Sequence, residues 1–291
     1  MSPLPRAAPP RAASTPPAVP LPAGACDAHV HMVAEDFPLW DGRVEDPAPG
    51  RLDDWMARLK AHLDALGFAR VVIVHSILHG GDNSVTVEAV RRLGDRARGI
   101  GLVTDDATEA DLDALAAAGI TGIRLNYVHG GLLSWAGVRA MAPRLAARGM
   151  HVQMLMNAHR HMEELAADVA TMPVPVVFDH IGWPDIGAGV AEPGFAALLR
   201  LVAEGHAHVK LSGLYRLCDA HYDAAAAYVR ALAEANPERC LWGSDWPHIM
   251  LAGAEMPDAG DLLAAFLDAV PGADMRETIL ARVPERLYGF A

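Results

Sequence analysis

The sequence contains few cysteines, few aromatic residues and no long hydrophobic run. Its 291 residues include three cysteines, Cys26, Cys218 and Cys240, which lie far apart and form no CxxC pair. This spacing predicts neither a disulfide framework nor a zinc ribbon, and it favours a reducing compartment. No apolar stretch approaches the roughly 18 residues that a membrane span requires. We therefore expect a cytoplasmic protein with no membrane partner.

Positive charge is also scarce. The formal net charge is −12, from 24 Lys and Arg against 36 Asp and Glu, and the basic residues form no cluster interleaved with aromatics. Because nucleic-acid binding requires a basic surface for the phosphates, we expect no nucleic acid as a partner. Hydrophobic residues make up 52% of the chain and are mostly Ala, Leu and Val, which is typical of a globular enzyme.

Residues 1–24 are rich in proline and alanine. Prolines interrupt every apolar run in this segment, so the 7–15-residue hydrophobic stretch of a signal peptide is missing. We expect a disordered N-terminal arm at 1–24 and a single domain at 25–291.

Eight short runs with strand-like composition follow the arm. They are "CDAHVHM" (26–32), "RVVIVHS" (70–76), "GIGLVT" (99–104), "GIRLNY" (122–127), "HVQMLMN" (151–157), "VPVVFDH" (174–180), "HVKLSG" (208–213) and "CLWGSDW" (240–246). Segments of helical spacing, such as "RLDDWMARLKAHLDALG" (51–67), lie between them and often end in a Gly or Asn cap. Strict alternation predicts a parallel sheet, and eight repeats predict a closed (β/α)8 TIM barrel in the α/β class.

In such a barrel the functional residues lie at the C-terminal ends of the strands. Polar residues are frequent at these positions: His29, His31, His75, Ser76, Arg124, Asn126, Asp179, His180, Ser244, Asp245 and His248. Their placement predicts a functional site at the mouth of the barrel.

Four of these residues form the candidate catalytic group. His29 and His31 are two residues apart on one strand and therefore face the same side. His180 and Asp245 end two further strands that meet them at the mouth. A buried carboxylate beside imidazoles can act as a general base, while histidine can polarise a carbonyl. The structural alternatives are hydrogen-bonded histidines on a half-exposed strand, a core histidine at 180 and a loop-capping aspartate at 245.

Motifs in the same order resemble the amidohydrolase superfamily, in its branch of TIM-barrel lactonases that includes pyrone-dicarboxylate hydrolases and galactarolactone isomerases. They are the HxH of residues 29–31, "DHIGWPD" (179–185), "LWGSDWPH" (241–248) and "PERLYGF" (284–290). The resemblance implies hydrolysis of a lactone, in which Asp245 activates water. It also implies that three histidines polarise the lactone carbonyl: His29, His31 and His180.

The resemblance also implies substrate-binding residues. Arg124 and Arg216 match arginines that hold substrate carboxylates in that branch, and an arginine fork suits a carboxylate. We add three strand-end or loop residues as candidate substrate contacts: Ser76, Trp183 and His248.

Two departures from the pyrone-dicarboxylate hydrolases alter the expected substrate. Trp183 replaces an arginine of their DHxGRPD motif, and a further arginine is replaced within "VHGGLL" (128–133). Because two cationic groups are lost, we expect a monocarboxylate or a hydroxylated sugar-acid lactone rather than the pyrone dicarboxylate.

Metal sites of this superfamily usually add a strand-5 histidine or a carboxylated strand-4 lysine to the strand-1 pair. Here strand 4 has Arg124, and strand 5 ends in Met156 and Asn157, so a binuclear centre lacks its bridge. One zinc or manganese ion fits an open set of candidate ligands: His29, His31, His180 and Asp245. The resemblance favours hydrolysis with no required metal.

Three rival functions use the same residues. They are a lactone isomerase with an attacking substrate hydroxyl, a metal-dependent decarboxylase, and a non-catalytic binder of sugar acids. The sequence also leaves open the exact lactone and the oligomeric state. The loop 33–50 is either a lid over the site or a surface loop packed on the barrel rim.

Overall fold

The computed structural model describes residues 4–128 and 130–291, whose central feature is a ring of eight parallel strands. Each strand pairs with the next along the chain. The ring closes after the last strand, where Asp245 N donates to His29 O at 2.8 Å and His31 N donates to Trp246 O at 2.7 Å. The strands are β1 (Cys26–Val30), β2 (Arg70–Val74), β3 (Ala97–Gly101), β4 (Ile120–Asn126), β5 (His151–Leu155), β6 (Val176–Phe178), β7 (His208–Leu211) and β8 (Cys240–Trp242).

Helices follow the strands. They are α1 (Leu52–Leu66), α2 (Ser84–Leu93), α3 (Glu109–Ala117), α4 (Trp135–Ala146), α5 (Ala158–Ala170), α6 (Pro193–Ala203), α7 (Asp223–Ala235), α8 (Ala259–Ala269), α9 (Ala273–Glu277) and α10 (Val283–Tyr288). The predicted (β/α)8 TIM barrel is confirmed. Within the described ranges, no helix combines the length and the apolar composition needed to cross a bilayer.

Helix α1 shows how residue spacing builds the outer layer. Trp55, Leu59 and Leu63 recur every four residues and are buried, so they form one face packed on the barrel. The helix ends at Gly67, which takes a left-handed φ of 85° and donates its N–H to Leu63 O. Glycine adopts this conformation without a steric penalty and therefore stops the helix as the sequence predicts.

Two strands, β6 and β8, are less than half as long as the sequence predicts. The predicted segments 174–180 and 240–246 extend past the observed ends of β6 and β8. His180 and Asp245 have φ values of 54° and 64°, and such left-handed backbone does not continue a β-ladder. Both residues therefore lie in turns just above the strands.

The N-terminal arm lies against the barrel over residues 4–24. Its backbone has no helix and only an isolated bridge to the loop 33–50. Thr15 Oγ1 donates to Asp258 Oδ2 at 2.7 Å, and Ser14 Oγ lies 3.1 Å from His62 Nδ1. The carboxylate that accepts from Thr15 also caps helix α8. These contacts give the arm hydrogen-bonding partners on the barrel surface, and the disorder expected for residues 1–24 stays a prediction.

Candidate active site at the barrel mouth

The four predicted catalytic side chains meet at the C-terminal ends of β1, β6 and β8. His29 and Asp245 are fully buried, and His31 and His180 are 2% exposed. His31 Nε2 lies 3.3 Å from both His29 Nε2 and Asp245 Oδ1. His180 Nε2 lies 3.7 Å from the other oxygen of the carboxylate, Oδ2. The structure thus brings all four together.

Two glycines make this close packing possible. A Cβ atom at Gly243 would lie 2.5 Å from the Cβ of His29, and one at Gly213 would lie 2.5 Å from His180 Nδ1. Real Cβ atoms do not approach other atoms so closely. The absence of a side chain at Gly243 in "WGSDW" therefore leaves space for His29, and its absence at Gly213 in "LSGLY" leaves space for His180.

Hydrogen bonds to Nδ1 orient the histidine pair. His31 Nδ1 lies 2.7 Å from Val74 O, which only accepts, so His31 carries its proton on Nδ1. His29 Nδ1 lies 3.2 Å from Asp179 Oδ1, and because a carboxylate oxygen only accepts, this neighbour favours a proton on Nδ1. These tautomers are inferred from the partners. In their neutral forms both rings therefore direct the lone pair of Nε2 toward Asp245 Oδ1.

The two oxygens of Asp245 have different environments. Oδ2 accepts from Tyr215 Oη at 2.7 Å and from Arg216 Nε and Nη2 at 3.0 and 2.9 Å. Oδ1 has no hydrogen-bond partner among the described residues. Burial opposes ionisation of Asp245, but Arg216 and His180 outweigh it and hold the pKa well below its usual range. Asp245 is therefore a carboxylate with one oxygen fixed and one open.

Arg216 is largely engaged with the protein. Besides Asp245, it donates to Met250 O at 3.1 Å and to Ile249 O at 3.0 Å, and its side chain is 11% exposed. The structure places Arg216 beside the candidate base, with little of the guanidinium left for a substrate carboxylate.

Among the residues that the structure describes, Arg124 makes fewer hydrogen bonds to the protein than Arg216 does. Its side chain is 8% exposed, and its Nε has no hydrogen-bond partner among the described residues. Its nearest acceptors are His75 O, 3.4 Å from Nη1, and Asp179 Oδ2, 3.7 Å from Nε. The guanidinium lines a small cavity at the mouth together with His75, Ile77, Leu102, Asn126, Gly131, Leu132 and Leu133. Arg124 is therefore placed to bind an anionic group there.

Comparison with known proteins identifies the family, because the sequence matches the amidohydrolase family over residues 26–290. The chain belongs to the amidohydrolase family. It is 35% identical over 286 residues to a 2-pyrone-4,6-dicarboxylate hydrolase of Comamonas testosteroni, covering 92% of this chain and 91% of that protein. It is 34% identical over 290 residues to a 4-sulfomuconolactone hydrolase of Rhizobium radiobacter, covering 96% and 95%. It is 30% identical over 273 residues to a D-galactarolactone isomerase of Agrobacterium fabrum, covering 92% and 91%. The predicted family and enzyme class are confirmed.

Amidohydrolases often use a metal ion, and three side chains of this amidohydrolase fit one. The ligand atoms of His29, His31 and Asp245 lie within 4.8 Å of one another, and all three residues are buried. The open Oδ1 and the two Nε2 lone pairs provide a mixed nitrogen and oxygen donor set suited to one divalent ion. The fourth predicted ligand, His180, is not part of this group.

The remaining predicted residues lie close to the site. Trp183 faces the ring of His180 at 6.2 Å between centroids. Ser76 is buried and accepts from Leu78 N at 3.2 Å, so its hydroxyl caps a turn. Burial lowers the pKa of His248 to about 3, and its Nε2 lies 3.2 Å from Ser244 O. The substrate-binding roles of these residues stay predictions.

Sequence reasoning missed the polar layer beneath the histidines. Asp179 was noted at a strand end without a role, and Gln153 and Lys210 were not considered. All three are fully buried. One signal could have found them: Gln153 and Lys210 interrupt apolar strands at alternate positions, which places a polar side chain on an inner face.

Proposed function

We propose that this amidohydrolase opens the ester bond of a carboxylate-bearing lactone, with Asp245 as the base that activates water. One observation carries the proposal: Asp245 Oδ2 is fixed by Tyr215 and Arg216, while Oδ1 is open and faces His29 and His31 at 3.6 and 3.3 Å. A base needs this arrangement, in which one oxygen is positioned and the other accepts a proton.

The bonds change as follows. The water oxygen bonds to the lactone carbonyl carbon as its proton passes to Asp245 Oδ1. The bond from that carbon to the ring oxygen then breaks, and Asp245 returns the proton to the leaving alkoxide. The product is an open-chain hydroxy acid.

Histidine stabilises the developing oxyanion. Burial lowers the pKa of His180 to about 4, so its ring is neutral and carries one N–H. Ser212 Oγ lies 3.0 Å from its Nδ1, and when this hydroxyl donates, Nε2 is the N–H that faces the mouth. His29 and His31 direct bare Nε2 atoms at Asp245, so a positive charge between these three groups is needed to offset their repulsion. The proton that Asp245 Oδ1 takes from water supplies that charge, and the neutral His180 is the donor for the carbonyl oxygen.

A bound divalent ion would be held by His29, His31 and Asp245 and would supply a Lewis acid for the carbonyl. We propose that the reaction does not require it. The buried carboxylates already have cationic partners, since Arg216 pairs with Asp245 and Lys210 lies 3.8 Å from Asp179.

Arg124 supports a substrate with one carboxylate. It is a buried guanidinium that lines a cavity shared with apolar Ile77, Leu102 and Leu132. Since Arg216 is engaged with Asp245, a second carboxylate would find no further free cation among the described residues that line this cavity. The substrate class is therefore a monocarboxylate lactone, including sugar-acid lactones.

The variant Asp245→Asn tests this function on a panel of sugar-acid and muconolactone-type lactones. The amide cannot accept the proton of water, so kcat is expected to fall about 10²–10⁴-fold. Asp64→Asn, on the exposed face of α1, is the matched control and keeps full activity. Near-wild-type turnover by Asp245→Asn would overturn the proposal.

Analysis of the products by NMR separates the rival functions. Hydrolysis yields a hydroxy acid, an isomerase yields a second lactone, and a decarboxylase releases CO₂ and depends on a bound metal. Binding without turnover over the whole panel would identify a non-catalytic sugar-acid binder.

A further inference from the structure

Beneath the histidine pair lies a buried chain of three polar side chains that the mechanism above does not use. Lys210 Nζ donates to Gln153 Oε1 at 2.6 Å, Gln153 Nε2 donates to Asp179 Oδ2 at 3.2 Å, and Asp179 Oδ1 lies 3.2 Å from His29 Nδ1. These side chains come from β7, β5, the end of β6 and β1, so the chain crosses the barrel interior.

From this geometry we infer that Lys210 and Gln153 are positioning residues, which fix the ring and the tautomer of His29 through Asp179. We call these three residues, Lys210, Gln153 and Asp179, the relay. The activity measurements that test the relay rest on the proposed function, whereas the measurement of the His29 tautomer does not.

The donors and acceptors in the relay determine which atom of each side chain faces the next residue. An ammonium group only donates, so Lys210 forces the carbonyl oxygen of Gln153 to face it and turns the amide nitrogen toward Asp179. A carboxylate only accepts, so Asp179 forces the proton of His29 onto Nδ1. His29 Nε2 is thereby left bare on the side of His31 and Asp245.

Lys210 also anchors the strand that carries His29. Its Nζ donates to Ala28 O at 2.8 Å, one residue before His29. Its distance to His29 Nδ1 is 3.5 Å, longer than the 3.2 Å between that nitrogen and Asp179 Oδ1, so Asp179 is the nearer partner of Nδ1. Lys210 is fully buried and lies on the Nδ1 side of the ring, away from the mouth. It therefore acts through His29 and not on the substrate.

The charges around Asp179 also support a positioning role for Lys210. Asp179 is fully buried, and an isolated carboxylate in such a place is strongly disfavoured. Lys210 Nζ lies 3.8 Å from Asp179 Oδ1, and Arg124 Nε lies 3.7 Å from Oδ2. The chain has two lysines, of which Lys60 is exposed and Lys210 is the buried one.

The variants Lys210→Met and Gln153→Met test the relay, because methionine keeps the length of each side chain and removes its polar atoms. We expect kcat to fall about 10- to 100-fold in each, as is typical when the orienting partner of a functional histidine is lost, with KM little changed. Lys60→Met, the same substitution at the exposed lysine, is the control and keeps the wild-type kcat.

A spectroscopic readout separates positioning from general stability. In enzyme labelled with [15N]histidine and held at one pH, wild-type His29 should show a protonated Nδ1 and a bare Nε2, with signals assigned by their loss in His29→Gln. In Lys210→Met and Gln153→Met the two nitrogens should approach an averaged position. Should Lys210→Met fail to fold, Gln153→Met decides alone.

An unchanged His29 tautomer in a folded variant, or a wild-type kcat, would overturn the relay. The NMR measurement needs no substrate and therefore still tests the relay if the enzyme hydrolyses no lactone. A missing lactonase activity in the wild-type protein would instead count against the proposed function.

Discussion

Arg216 and Asp245 form a two-point ion pair in which Nε and Nη2 both lie about 3 Å from the single oxygen Oδ2. The pair holds the carboxylate ionised in a fully buried position and turns Oδ1 toward the histidine pair. The arginine that the resemblance assigns to a substrate carboxylate thus contacts the candidate base, and its substrate-binding role stays a prediction.

Arg216→Lys should separate these two roles. Lysine cannot reproduce the fork to Asp245 and the contacts to Met250 O and Ile249 O. We expect kcat to fall at least about tenfold with KM little changed, because removing one hydrogen bond to a charged group costs about 1.5–3 kcal/mol. A raised KM with unchanged kcat would instead restore Arg216 as the ligand of the substrate carboxylate. Steady-state kinetics on one lactone suffices.

Arg124→Gln should act on substrate binding. The lost charged contact predicts that KM for a carboxylate lactone rises about 10- to 100-fold. A lactone of the same ring without a carboxylate should be processed equally by both enzymes. Equal losses on both lactones would show that Arg124 does not bind the carboxylate.

Two histidines at the opposite end of the barrel should contribute to the pH dependence of stability. Burial lowers the pKa of both His151 and His208 to about 3, and each residue begins a strand. Their unfolded pKa is about 6.5, so below that pH the unfolded chain binds more protons and folding stability falls. The free energy of unfolding should decrease by about 2 kcal/mol per histidine between pH 7 and pH 5.

Urea denaturation of His208→Gln checks this expectation. Loss of one buried imidazole should reduce the slope of stability against pH by about one proton. Equal slopes in wild type and His208→Gln would contradict the prediction.

Gly243→Ala should disturb the site without changing any polar group. The new Cβ would lie 2.5 Å from His29 Cβ and 2.8 Å from its backbone N, so β1 and β8 must separate. We expect a loss of about 1–3 kcal/mol in stability and a large loss of kcat. Gly272→Ala, where the nearest atom to a new Cβ is 3.8 Å away, is the control. Wild-type activity in Gly243→Ala would show that the close packing is not needed.

The sequence predicts well those features that depend on local periodicity. The spacing of His29 and His31 places both on one face, and the βα alternation predicts the barrel that brings His180 and Asp245 to them. The strands end early at His180 and Asp245 because both residues take left-handed backbone, which the pattern of apolar residues does not reveal.

Contacts between segments that are far apart in the chain could not be predicted from the sequence. Arg216 meets Asp245 only because two neighbouring loops fold over each other, 29 residues apart in the chain. Lys210 and Gln153 interact across the barrel from strands that are not neighbours, so no local pattern joins them. The docking of Thr15 on Asp258 depends on a surface formed by the folded barrel.

The most direct test of the account measures lactone opening by enzyme that has been treated with chelator and shown by elemental analysis to be free of metal. Product formation is followed by NMR on the monocarboxylate lactones of the panel. We predict a hydroxy acid formed at the rate of the untreated enzyme and lost in Asp245→Asn. Activity that disappears with the metal and returns with zinc or manganese would contradict the proposed mechanism and assign His29, His31 and Asp245 as ligands.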